Sequence, residues 1–250
     1  MVIDQTFLLF VAVGFAAQLV DGALGGGFGV ISSSVLVATG VPPKAASAGI
    51  HVVKVITAPI SGLSHAMVGN VDWKLLIRLS IPGIVGSIIG AWLLTGLPIG
   101  TARLLMQVYL AVLGLLLLLR RSLHHAHYRK PKYVGPLGLV AGFFDSAGGG
   151  GWGPICTPSL IIQGTYPSKA VGTVNMAEFV IAIASSATFL SLLGWELLGN
   201  AVLGLLAGAV VSSPFGALLA KRLSPAVLVR LVGTLLLATS AFGMFQDLLS

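Results

Sequence analysis

Two glycine-rich stretches, Asp21-Gly-Ala-Leu-Gly-Gly-Gly-Phe-Gly29 and Asp145-Ser-Ala-Gly-Gly-Gly-Gly-Trp-Gly153, lie 124 residues apart in a chain of 250. Each interrupts a strongly apolar surround. A run of glycines does not continue a helix cheaply, and a backbone amide freed in an apolar medium must find a partner. The pattern therefore predicts a broken helix at membrane depth. Two breaks in register predict one binding site built from two halves.

The surround settles the medium. Charged residues make up 8% of the chain, hydrophobic residues 56%, and mean hydropathy is +1.01. Ordinary soluble domains carry about 25% charged residues, so the chain reads as an all-α integral membrane protein. Its 250 residues hold roughly eight segments of about 20 residues, one transmembrane domain over 1–250. The formal net charge of +7 sits at segment ends and in one central loop, where membrane topology places basic residues, so no nucleic-acid partner is expected. A single cysteine, Cys156, excludes an intrachain disulfide and a multi-thiolate metal site. The N-terminal stretch lacks the basic start and small-residue cleavage site of a signal peptide, so Phe7 to Val20 is expected to be retained.

The repeat extends beyond the glycines. At the same offset Asp21 matches Asp145, Phe28 matches Trp152, Gly40 matches Gly164, Pro43 matches Pro167, Ala46 matches Ala170, Ser61 matches Ser185 and Asp72 matches Glu196. With one to three extra residues, Gly90-Ala91 then matches Gly216-Ala217 and Arg103 matches Arg230. This is an internal duplication. Repeat one covers 6–120 and repeat two 134–248, joined by a basic linker at 121–133 that contains His124, His125 and His127. Those histidines lie among Arg and Lys residues, so a solvated or headgroup-facing tract is preferred over a metal site.

The apolar segments flanking each glycine run read as too short to span alone; a helix from 7 to 20 covers about 21 Å of a core about 30 Å thick. Each pair is either a broken spanning helix or a re-entrant hairpin, and basic residues choose between them in the second copy. With a crossing over 134–163, the linker side holds Lys74, Arg78, Arg120, Arg121, Arg129, Lys130 and Lys132, and the other side holds Lys44, Arg103, Lys169, Lys221, Arg222 and Arg230. With a hairpin, the last four of these join the linker side, leaving only Lys44 and Arg103 opposite. The positive-inside rule favours the hairpin, and the first copy follows by repetition. Each repeat is then a re-entrant helix pair plus three transmembrane helices. An odd number of crossings inverts the copies, with the linker cytoplasmic and both termini outside.

After the first glycine run, His51, Lys54, Ala58, Ser61 and His65 recur at spacings of three and four, forming a polar seam on an apolar helix. The second copy repeats it as Asn175, Glu178, Ala182 and Ser185. Lys54 falls near the bilayer midplane, where an ammonium costs at least about 2.5–3.5 kcal/mol and must face the interior with partners. Its repeat mate is Glu178, so an interaction between them, direct or bridged by a substrate, is expected; a purely architectural ion pair is the alternative. Free amides at Gly25, Gly26 and Gly27 and at Gly149, Gly150 and Gly151 are expected to cradle an anion. Asp21 and Asp145 are expected either to cap half-helix amides or to take part in coupling. Gly86 with Gly90, and Gly204 with Gly208, read as helix-packing pairs. No Gly-Lys-Ser/Thr follows either run and no nucleophile elbow or His-Glu-x-x-His occurs, so neither phosphate-loop chemistry nor an intramembrane hydrolase is expected.

Asp-Gly-x-x-Gly-Gly-Gly-Phe-Gly, followed by Pro-x-x-Ala and a Lys-bearing polar helix, then Gly-Gly-Gly-Gly-Trp-Gly, Pro-Ser-Lys-Ala and Asn175, resembles the TauE/SafE family of anion exporters. The resemblance covers nearly the whole chain. It implies a multi-pass protein of the bacterial inner membrane that exports sulfite or small organosulfonates such as sulfoacetate, with no enzymatic activity and no cofactor. In that reading Phe28, Trp152 and the glycine amides, with Lys54, His51 and Asn175, hold the oxyanion, Glu178, Asp21 and Asp145 act as charge or coupling partners, and one repeat rocks against the other. An anion channel or a membrane assembly partner is the alternative. The expected partners are a small anion and the lipid bilayer, with a homodimer left open.

Overall fold

The computed structural model describes residues 5–119, 130–195, 199–215 and 225–249. Most of the basic linker, including His124, His125 and His127, lies outside the described residues, as do Glu196, Lys221 and Arg222. Among the described residues the fold is all-helical. The first half comprises α1 (Gln5–Leu24), α2 (Phe28–Ala38), α3 (Pro43–Met67), α4 (Trp73–Gly96) and α5 (Ile99–Leu119). The second comprises α6 (Val134–Ala147), α7 (Trp152–Ile162), α8 (Pro167–Leu193), α9 (Asn200–Ser212) with a 3-10 turn at Ser213–Phe215, and α10 (Pro225–Leu249). Five of these, α1, α3, α4, α5 and α8, are long and apolar enough to cross a membrane. Large apolar side chains such as Ile81, Trp92, Leu105 and Leu116 face outward, as a bundle in lipid requires.

The duplication recurs in the local structure. Helices α2 and α7 run over the same positions 124 residues apart, and α3 and α8 both start on a proline, which loses no hydrogen bond at a first helical position. The glycine runs adopt matching backbones, with φ of 71°, 149° and 149° at Gly25 to Gly27 and 69°, 144° and 158° at Gly149 to Gly151. Side chains other than glycine's rarely enter that region, which is why the breaks fall there. One expectation needs correcting. Helix α1 continues through Gly22 to Leu24, and its 20 residues reach about 30 Å. The first break thus closes a helix long enough to cross, whereas α6, at 14 residues, reaches about 21 Å.

Contacts between the halves are exchanged in pairs. Gly86 of α4 lies against the Leu139 backbone of α6, and Gly204 of α9 lies against the Phe7 backbone of α1. These are the glycine packing pairs read from the sequence, and missing side chains let the backbones approach closely. The equivalent helices α3 and α8 cross antiparallel: His51 meets Phe189, Lys54 meets Glu178, and Gly62 meets Met176. At one end of this crossing the α3–α4 loop is held down. Lys169 donates to the Gly69 carbonyl at 2.6 Å, and the Asp72 amide donates to Thr173 Oγ1 at 2.9 Å. Asp72 also caps α4 by accepting from the amides of Lys74 and Leu75.

Candidate functional site

The two breaks meet backbone to backbone. A Cβ on Gly26 would collide with the Gly153 backbone, and one on Gly150 with that of Gly29. These contacts interchange under the repeat, since Gly26 corresponds to Gly150 and Gly29 to Gly153. At each break an aspartate caps the following helix: Asp21 Oδ1 accepts from the Phe28 amide and Asp145 Oδ1 from the Trp152 amide, both at 3.0 Å. Capping uses one oxygen of each carboxylate and leaves the second for another partner. The amides of Gly25 and Gly26 donate to the Asp21 carbonyl, at 2.8 and 3.2 Å.

The second oxygens hold the cations. Lys54 Nζ donates to Asp21 Oδ2 at 2.6 Å and to Glu178 Oε2 at 2.8 Å, so the expected Lys54–Glu178 contact is direct. The Phe28 ring lies 5.3 Å from Nζ, within cation–π range. His51 faces Asp145 instead, with Nε2 3.0 Å from Oδ2 and Nδ1 2.7 Å from the Ser47 carbonyl. The ring thus bridges the Ser47 backbone of α3 to the carboxylate at the second break through its two nitrogens. Every member of this centre is at most 6% exposed. The centre thus gathers two basic side chains, Lys54 and His51, among three carboxylates, Asp21, Glu178 and Asp145, each acid in contact with a base.

Asn175 is 1% exposed and neither amide atom has a hydrogen-bond partner. Trp152 is fully buried and donates from Nε1 to the Val174 carbonyl at 3.0 Å. Tyr109 was not singled out from sequence. Its hydroxyl donates to the Gly150 carbonyl at 2.8 Å, and its ring stacks on Phe144 at 5.2 Å between centroids. Its position inside the apolar run of α5 carried no motif that pointed to the second break. Replacing Tyr109 with Phe removes one buried hydrogen bond and is expected to cost about 1 kcal/mol, read as a lowered thermal midpoint with unchanged oligomeric state.

An apolar helical bundle that buries a lysine, a histidine and three carboxylates where two helix breaks meet has the make-up of a membrane transporter. The chain belongs to the family described as sulfite exporter TauE/SafE, whose model matches residues 10–243. It is 39% identical over 252 aligned residues to the Bacillus subtilis (strain 168) probable membrane transporter protein YtnM, covering 97% of this chain and 84% of that protein. A probable membrane transporter protein of Haemophilus influenzae (strain ATCC 51907 / DSM 11121 / KW20 / Rd) is 27% identical over 225 residues, covering 86% of this chain and 85% of that protein. No solved structure matches the chain. The protein is thus a multi-pass membrane transporter and not an enzyme.

Proposed function

We propose that this transporter exports small sulfur-containing anions, sulfite or organosulfonates such as sulfoacetate, by alternating access around the centre at Lys54. The observation that carries this reading is the Lys54 ammonium, buried between the two breaks and shared by carboxylates of both halves. Among the described residues Glu178 is held by Lys54 alone, whereas Asp21 is also fixed by the Phe28 amide. Substrate oxygens therefore displace Glu178 from the ammonium while Asp21 stays, with His51 and Asn175 and the glycine-run residues closing the site. The antiparallel crossing of α3 on α8, equivalent helices of the repeat, supports copies inverted across the membrane. The family description supports the sulfur anion.

Efflux from proteoliposomes loaded with sulfite, sulfoacetate, taurine or sulfate tests this. A carrier gives saturable efflux accelerated by the same anion outside. Flux that rises linearly with concentration and shows no exchange identifies the channel alternative, and no flux with any of the four overturns the substrate class.

A further inference from the structure

The repeat is broken most strongly around Lys54. Gln18 lies one turn before Asp21 on α1, and Asn175 lies one turn before Glu178 on α8. Both carboxylates hold the same ammonium, at 2.6 and 2.8 Å. Residues three apart on a helix have Cβ atoms about 5–6 Å from each other, so each amide lies within side-chain reach of Nζ's surroundings. Gln18 is 0% and Asn175 1% exposed, and none of their four amide atoms has a partner.

The equivalent positions in the other half carry nothing comparable. Gln18 corresponds to Gly142, which packs against the Gly83 backbone, and Asn175 corresponds to His51, which is bonded on both ring nitrogens. The polar groups there are matched to one another, with Ser47 Oγ donating to the Ser146 carbonyl and Ser146 Oγ bonded to Ser185 Oγ. Their mates around Lys54 are Val171, Gly22 and Ser61, so the surroundings of Lys54 offer fewer hydroxyls to meet the two amides. A buried amide with both ends unmet is costly. Two of them, each one turn before a carboxylate that binds the same ammonium, have the chemistry of a ligand site.

We infer that Gln18, Asn175 and Lys54 form the oxyanion subsite, each amide N–H and the ammonium taking one oxygen of a sulfonate or sulfite group, while His51 closes the site from beside it and keeps its bond to Asp145. This rests on the transport reading above and gives it a location. A tetrahedral or pyramidal sulfur oxyanion offers three oxygens to three donors, and charge-assisted hydrogen bonds favour it.

The test compares the full-length chain with its Gln18→Ala, Asn175→Ala and Ser80→Ala variants in detergent micelles. Sulfite and sulfoacetate binding is measured by titration calorimetry and stability by thermal unfolding. Alanine removes unmet polar groups, so the first two variants are expected to keep or raise the unfolding midpoint while weakening anion binding about tenfold or more each. Ser80→Ala deletes a buried hydroxyl that is likewise without a partner, on α4, and is expected to leave binding unchanged. Gln18→Ala and Asn175→Ala proteins that bind as the parent does, or that bind weakly only because they unfold at lower temperature, overturn the subsite and leave the transport reading standing. A parent protein that binds neither anion overturns both.

Discussion

Alanine at Gly150 is expected to prevent the protein from assembling, and alanine at Gly26 to do the same. A Cβ at Gly150 lands on the backbone of Gly29 and Val30, and one at Gly26 on the backbone of Gly153. Neither neighbour is a flexible side chain that can move aside. Both positions also need φ near +145°, which alone costs an L-residue about 1–3 kcal/mol. Backbone overlap adds to that, and the total approaches the roughly 5–15 kcal/mol that holds a typical fold together. Gly40 supplies the control: its φ is 93°, yet a Cβ there meets nothing within 4 Å. Gly40→Ala is expected to yield a monodisperse peak in size-exclusion chromatography where Gly150→Ala yields aggregate. Equal behaviour of the two variants would refute the interlocked crossing.

The second large effect falls on Lys54. Its replacement by Met leaves Asp21 and Glu178 buried without their shared cation, a loss of about 3–5 kcal/mol when one partner of a buried pair is removed. Transport is expected to fall to background. Adding Glu178→Gln to Lys54→Met removes one unpaired charge, so the double variant is expected to regain part of the thermal stability and none of the transport. That split separates a cation needed for the substrate from one needed only for architecture. Transport recovered along with stability would make the ion pair structural.

The sequence carried the breaks and the central cation because both are local signals. Runs of glycine interrupt an apolar helix wherever they fall, and a lysine in the middle of a membrane helix must turn inward. The offset of 124 then added Glu178 as the partner of Lys54, and the contact is there at 2.8 Å. Contacts that cross the repeat without following the offset were not legible. His51 and Asp145 are 94 residues apart, and only the antiparallel crossing of α3 and α8, with the second break beside it, brings them together. Helix α1 is also longer than its apolar segment suggests, because a helix carries a single glycine at position 22 and breaks only at the run beginning at Gly25. Gln18 stands in the sequence as a lone polar residue in an apolar run. Its spacing of three from Asp21, in a copy whose mate position is Gly142, was the available signal.

The reciprocal contacts mean that each half presents a face complementary to the other, and on the backbone alone also to a second copy of itself. Side-chain charge removes that freedom. Two first halves joined through this face would set Lys54 against Lys54, and two second halves would set Glu178 against Glu178. On these two helices only the unlike pairing sets a cation against an anion. The buried ion pair therefore favours the pairing of α3 with α8 over that of either helix with its own copy.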